Sequence, residues 1–106
     1  MAVHEIATGI YWVGVNHWDR RLFDELIPLP HGTTYNSYLL KGSEKTALID
    51  TVDPIKEGEL IANLQYLGIK NIDYIISNHA EQDHSGGIPR VLAAYPQAKV
   101  VTNAKC

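Results

Sequence analysis

Through the first half of the chain, short runs rich in apolar, β-branched and aromatic residues are set off by turn residues and predict strands, whose side chains have a period of two. Val3 to Ile6 is the first run, and Thr8-Gly9 breaks it. Ile10 to Val15 follows with Ile, Tyr, Trp and two valines, so the two runs are expected to form a hairpin. Residues 16 to 33 have no clear period and contain Pro28, Pro30 and Gly32, which predicts a long loop of the kind that often carries function. Tyr35 to Lys41 and Thr46 to Asp50 are the next strands, joined by a turn at Gly42-Ser43-Glu44-Lys45. Asp50 thus ends a strand, with its carboxylate expected at a sheet edge.

The period then lengthens. Asp53-Pro54 is a helix-start signal with Asp53 as the cap. Leu60, Ile61, Leu64 and Leu67 fall on one helical face, and Gly68 is placed to end the helix. Tyr74-Ile75-Ile76 has the length of a buried strand. The stretch from Asn78 to Gly87 is polar, a second helix covers Ile88 to Tyr95 with Pro89 in its first turn, and Val100-Val101 opens another strand. The order, β-rich and then αβαβ, predicts an α/β fold with a mixed sheet covered on at least one face. There is no repeat or linker, so the chain reads as one domain or a piece of a larger one. A strand shortly before Cys106 reads as an interrupted domain.

Composition narrows the function classes. The chain has 106 residues, 45% hydrophobic and 20% charged, which excludes disorder and low-complexity arrays. Its formal net charge of −3 comes without a basic stripe, so no nucleic-acid partner is expected. The apolar runs are too short to cross a bilayer, and His4-Glu5 stand where a signal peptide needs a basic and then an apolar stretch. Cys106 is the one cysteine, which excludes an internal disulfide and fits a reducing, cytoplasmic compartment.

The chemistry concentrates in Asn78-His79-Ala80-Glu81-Gln82-Asp83-His84, which follows an apolar strand and precedes Gly86-Gly87. Carboxyl ends of strands are where α/β proteins place reactive groups. In an extended segment His79, Glu81 and Asp83 point one way, and His84 joins them only if the backbone turns. Two carboxylates this close repel, and a divalent cation removes that cost. Imidazole suits iron, zinc and copper, and carboxylates add hard anionic donors. The bland alternative is a solvated acidic loop with two incidental histidines.

The pattern H-x-E-x-D-H after a short apolar strand resembles the iron-ligand motif of the flavodiiron proteins, also called A-type flavoproteins or rubredoxin:oxygen oxidoreductases, a branch of the metallo-β-lactamase superfamily. Most hydrolases of that superfamily carry histidine where Glu81 stands. Gly32 to Leu40 is similar to the family's second hairpin, Ala47-Leu48-Ile49-Asp50-Thr51 to the superfamily's early aspartate motif, and Ile10 to Gly14 to a family strand. The resemblance covers essentially the whole chain. It implies the N-terminal portion of a metallo-β-lactamase-like αββα fold, with His79 and Glu81 on a first iron and Asp83 and His84 on a second. It also implies that a later histidine for each iron, a bridging aspartate and a flavodoxin-like FMN domain lie outside these 106 residues. The implied reaction is reduction of O2 to water or NO to N2O. Electrons would come through FMN from a donor such as rubredoxin or a reduced deazaflavin, in a head-to-tail dimer.

Other residues have two readings each. Asp50 is expected either to hydrogen-bond the metal loop and orient a ligand histidine, or to cap the turn at residues 51 to 54. His31 either lines the pocket or is simply solvated, and His17 with Trp18 either cover the diiron pocket or a docking face for FMN, or are loop packing. Tyr35 either donates to a bound oxygen species or packs half-buried. His4 and Cys106 are expected to take no part, and Gly86-Gly87 to permit close backbone approach and a helix start. A dizinc hydrolase, opposed by Glu81, and an inactive or partner-dependent module are the competing readings.

Overall fold

The computed structural model describes residues 3–17, 22–23, 27–28, 33–78 and 85–102. Strands β1 (His4–Ala7) and β2 (Ile10–Trp12) form the first hairpin, with Gly9 at φ +80° in its turn. β3 (Val15–His17) follows, then β4 (Leu22–Phe23) and β5 (Ile27–Pro28), β6 (Thr33–Tyr35), β7 (Tyr38–Lys41) and β8 (Thr46–Ile49). A 3-10 turn at Pro54–Lys56 leads into helix α1 (Glu57–Tyr66). β9 (Tyr74–Ile76), helix α2 (Ile88–Ala94) and β10 (Lys99–Val101) complete the order.

The main sheet has six strands in the order β1-β2-β7-β8-β9-β10, antiparallel up to β8 and parallel from β8 to β10. The parallel crossovers β8-α1-β9 and β9-α2-β10 step the same way across the sheet, and right-handed connections put both helices on one face. The cross-strand row Leu39–Leu48–Ile75 lies on that face and is fully buried, packed with Leu60, Leu64 and Val91 from the helices. The rows on the opposite face, Trp12–Tyr38–Ile49–Ile76–Val101 and Ile10–Leu40–Ala47–Tyr74, are apolar, and every member is at least partly exposed.

Local chemistry explains the helix boundaries. Asp53 accepts a hydrogen bond from Ile55 N–H at 3.1 Å, so it is the cap of the segment that the Asp-Pro signal announced. At the other end Gly68, at φ +71°, donates to Gln65 O at 2.9 Å, and Ile69 N–H donates to Leu64 O at 3.1 Å. This is the paired closure that a left-handed glycine makes possible. After α2, burial pushes the Tyr95 phenol up in pKa, and its hydroxyl donates to Ile69 O at 2.8 Å. Asp73, the residue that leads into β9, ties that strand to β8 and β10. It exchanges backbone and carboxylate hydrogen bonds with Thr46 at 2.8 Å each and accepts from Lys99 N–H at 2.9 Å.

The structure corrects two long strands and one long loop. Ile10 to Val15 breaks at Val13-Gly14, and Tyr35 to Lys41 breaks opposite, at Asn36-Ser37; beyond the break, β3 and β6 pair in a separate two-stranded sheet. The region 16 to 33 is not purely loop, since it contains the end of β3 and the β4-β5 pair. At the break sits Asn63 on α1, almost fully buried, whose side-chain amide donates to Val13 O at 2.9 Å and Gly14 O at 3.2 Å. Carbonyls claimed by the helix are not available to a straight ladder. Asn63→Ala should leave both buried carbonyls without this donor and lower stability by about 1–3 kcal/mol. A urea denaturation midpoint equal to that of the parent protein would show that these two hydrogen bonds add nothing to stability.

Candidate functional site

Two crossovers leave the carboxyl ends of β8 and β9 side by side. Asp50 and Thr51 follow β8, and Ser77 and Asn78 follow β9. The backbone of Asp50 is left-handed, at φ +59°, the sole non-glycine residue with positive φ among the described residues. Aspartate tolerates that conformation better than most residues, though at some cost. Hydrogen bonds to other described residues hold it: its N–H donates to Ile76 O at 2.8 Å, its carbonyl accepts from Ser37 Oγ at 2.9 Å, and its Oδ1 accepts from Asn78 N–H at 2.9 Å. A costly conformation held from several sides is typical of functional positions.

Thr51 is fully buried, and its Oγ1 accepts from Gly87 N–H at 3.1 Å. Gly87 is the residue from which α2 starts. A Cβ there would sit 3.2 Å from Thr51 Cβ and Oγ1, so glycine permits the close approach that the Gly86-Gly87 pair predicted. Asn78 and Gly87 bracket the segment that carries the histidines and acids. Two consecutive residues after one strand therefore hold both flanks of that segment, Asp50 at the entry and Thr51 at the exit.

His79, Glu81, Asp83 and His84 themselves lie outside the described residues, as do Trp18, His31 and Cys106, and no side-chain position is described for His17. Among the described residues, no group of three or more His, Cys, Asp or Glu side chains gathers to hold a metal. The donor set of residues 79 to 84 fits iron on chemical grounds. Two imidazoles and two carboxylates supply borderline and hard donors with two negative charges against the metal charge.

Of the two readings of Asp50, the structure makes the hydrogen bond to the start of the loop, while the cap of the next turn is Asp53. The carboxylate lies at the end of an interior strand, not on a lateral edge strand. Tyr35 is 1% exposed and belongs to the core, so it is not half-buried. His4 lies beside Trp12, ring centroids 5.8 Å apart, away from the β8-β9 corner. Sequence reasoning missed Ser37 and the hydroxyl of Thr51. Their partners are 13 and 36 positions away, and no local spacing signals such pairs.

Comparisons agree with this architecture. The family model for the metallo-beta-lactamase superfamily matches residues 32–105. A nitric oxide reductase of Moorella thermoacetica is 46% identical over 99 residues, covering 91% of this chain and 24% of the relative. A coenzyme F420H(2) oxidase of Methanothermobacter marburgensis is 42% identical over 103 residues, covering 93% of this chain and 25% of the relative. The crystal structure of the flavodiiron protein from Giardia intestinalis superposes with a TM-score of 0.89 at 29% identity, over 100% of this chain and 26% of that one. The chain thus spans about a quarter of the length of these curated relatives. No helix among the described residues is long and apolar enough to cross a membrane. With its strand-helix order and these matches, the chain belongs to the metallo-β-lactamase superfamily, and it is similar to that superfamily's flavodiiron proteins.

Proposed function

We propose that this chain is part of a flavodiiron oxidoreductase that reduces O2 to water, NO to N2O, or both. The observation that carries the reading is the H-x-E-x-D-H segment with its flanks held at the Asp50-Thr51 corner. His79 and Glu81 would hold one iron, and Asp83 and His84 the other. When bound, the pair supplies one electron per ferrous ion and open positions for a diatomic molecule, and FMN restores the electrons. The work of the chain's own residues is positional. Asp50 fixes the amide that precedes His79, and glycine at 87 lets α2 start close against Thr51. Glu81 in place of an imidazole makes the donor set more anionic, which favours iron over the histidine-rich sites of hydrolases.

Four ligands over two irons leave each ion incompletely held. The reading therefore includes completion by further chain: a histidine for each iron, a bridging aspartate and a flavodoxin-like FMN domain. The partly exposed apolar face of the main sheet supports completion, because such a face is ordinarily covered. So does the quarter-length match to the relatives. Rubredoxin or a reduced deazaflavin is the proposed donor, the cytoplasm the compartment, and a head-to-tail dimer the assembly.

Anaerobic purification from the source cells tests this. The expected result is an intact mass several-fold above 11.8 kDa, two irons and one FMN per chain, and consumption of O2 or NO with a reduced donor. Zinc without iron, together with thioester or phosphodiester turnover and no oxygen uptake, would replace the reading with a dizinc hydrolase. A mass of 11.8 kDa without metal would leave an inactive or partner-dependent module.

A further inference from the structure

We infer that Thr51 is a positioning residue for the metal loop, acting through its hydroxyl on the amide of Gly87; the inference rests on the metal reading above. The hydroxyl is fully buried, where its contact with the Gly87 amide is shielded from competing water. The residue beside it, Asp50, holds the Asn78 amide at the other flank. Between these two contacts lie all four donor residues, 79 to 84. Asp50 is itself anchored by Ser37 and by the end of β9. One rigid corner after β8 therefore sets the separation of the two points from which the loop departs and to which it returns.

Ligation is sensitive to such support, and loss of an orienting partner typically costs 10- to 100-fold in metal affinity. Threonine and valine have the same shape, so Thr51→Val removes the hydroxyl and leaves the packing. Thr51→Ser removes the methyl and leaves the hydroxyl. Gly87→Ala strains the same contact from the other side, because the added Cβ meets Thr51 Oγ1 at 3.2 Å and Val52 O at 3.4 Å.

The test uses the full-length protein freed of metal and titrated with Co2+ as a spectroscopic probe. The urea midpoint of each metal-free variant is measured beside it. The expected result is a loss of about tenfold in Co2+ affinity for T51V, with altered ligand-field bands. T51S should retain the parent affinity within about threefold, G87A should shift in the direction of T51V, and the urea midpoints of T51V and T51S should match. T51V binding Co2+ as the parent does, with the same bands, would overturn the inference. So would an equal loss in T51V and T51S, or a metal-free T51V that does not fold, since either would make Thr51 a packing residue. A parent protein that binds neither Co2+ nor iron would overturn the metal reading itself. Parent binding that T51V leaves unaltered would overturn the role of Thr51 alone.

Discussion

Replacing Asp50 should empty the candidate metal centre of the full-length protein while leaving the sheet in place. Asp50→Ala removes two things at once. The carboxylate that accepts the Asn78 amide is lost, and a residue tolerant of φ +59° is exchanged for one that is not. The first loss frees the amide preceding His79, and an effect of roughly 10- to 100-fold on iron affinity is expected. The second costs on the order of 1–2 kcal/mol in any protein that keeps this backbone. Glycine adopts the conformation freely, so Asp50→Gly should lose metal as severely as Asp50→Ala but retain more stability. Asn tolerates left-handed backbone and offers an amide oxygen in the carboxylate position, so Asp50→Asn should lose least. Iron content after dialysis against a chelator, set beside the urea midpoint of each metal-free variant, separates the two effects. An Asp50→Ala protein that holds iron at the parent level would remove Asp50 from the site.

The largest effect on stability is expected at Gly14. A Cβ there would overlap the carbonyl oxygen of Tyr35 and come within 3.0 Å of Ser37 N and 3.1 Å of Trp12 Cε2. Two of the three are backbone, and the third belongs to a ring held by a 2.9 Å hydrogen bond from Trp12 Nε1 to Asn36 Oδ1. None can yield without moving the junction between the main sheet and the β3-β6 pair. Gly14→Ala should therefore cost on the order of 3–4 kcal/mol, near the upper end for one substitution. Domains have only about 5–15 kcal/mol in total. The same junction presents Ser37 to Asp50, so iron retention should fall together with stability. Chemical denaturation followed by circular dichroism measures the loss. A change below about 1 kcal/mol would mean that the strands can separate at this point without penalty.

Much of the architecture was legible because its signals are local. Tyr74–Ile76 is an uninterrupted apolar triplet, and it is a strand over those three residues. Gly68 follows an apolar helical face and closes that helix through its left-handed backbone. Pro89 in a first turn and Asp53 before a proline mark starts through the backbone chemistry of one or two residues. The H-x-E-x-D-H segment stood out as a candidate for the same reason: four side chains able to bind a metal lie within six positions of the chain. Glu81 among them separates the flavodiiron pattern from that of the hydrolases.

What the chain could not announce depends on contacts distant in sequence. The apolar and aromatic residues of Ile10 to Val15 and Tyr35 to Lys41 promised two unbroken strands. Both break where Asn63, some fifty positions from Val13, binds the carbonyls of Val13 and Gly14. Read along the helix, Asn63 is a polar residue with no marked role; burial against the strand break turns it into a determinant of sheet shape. Asp50 admitted two readings in sequence because a carboxylate after a strand can serve either neighbour. The left-handed turn at Asp50 and the parallel pairing of β8 with β9 brought the Asn78 amide to it and left the next turn to Asp53. Thr51 gained its role in the same way, from the return of α2 to the corner after β8. The sequence by itself thus determined most of the elements of the main sheet and its helices and singled out the candidate donors, since propensity, capping and ligand chemistry act over a few positions. The tertiary structure alone decided where the strands break and which residues brace the loop, because those hydrogen bonds join positions that only the folded sheet brings together.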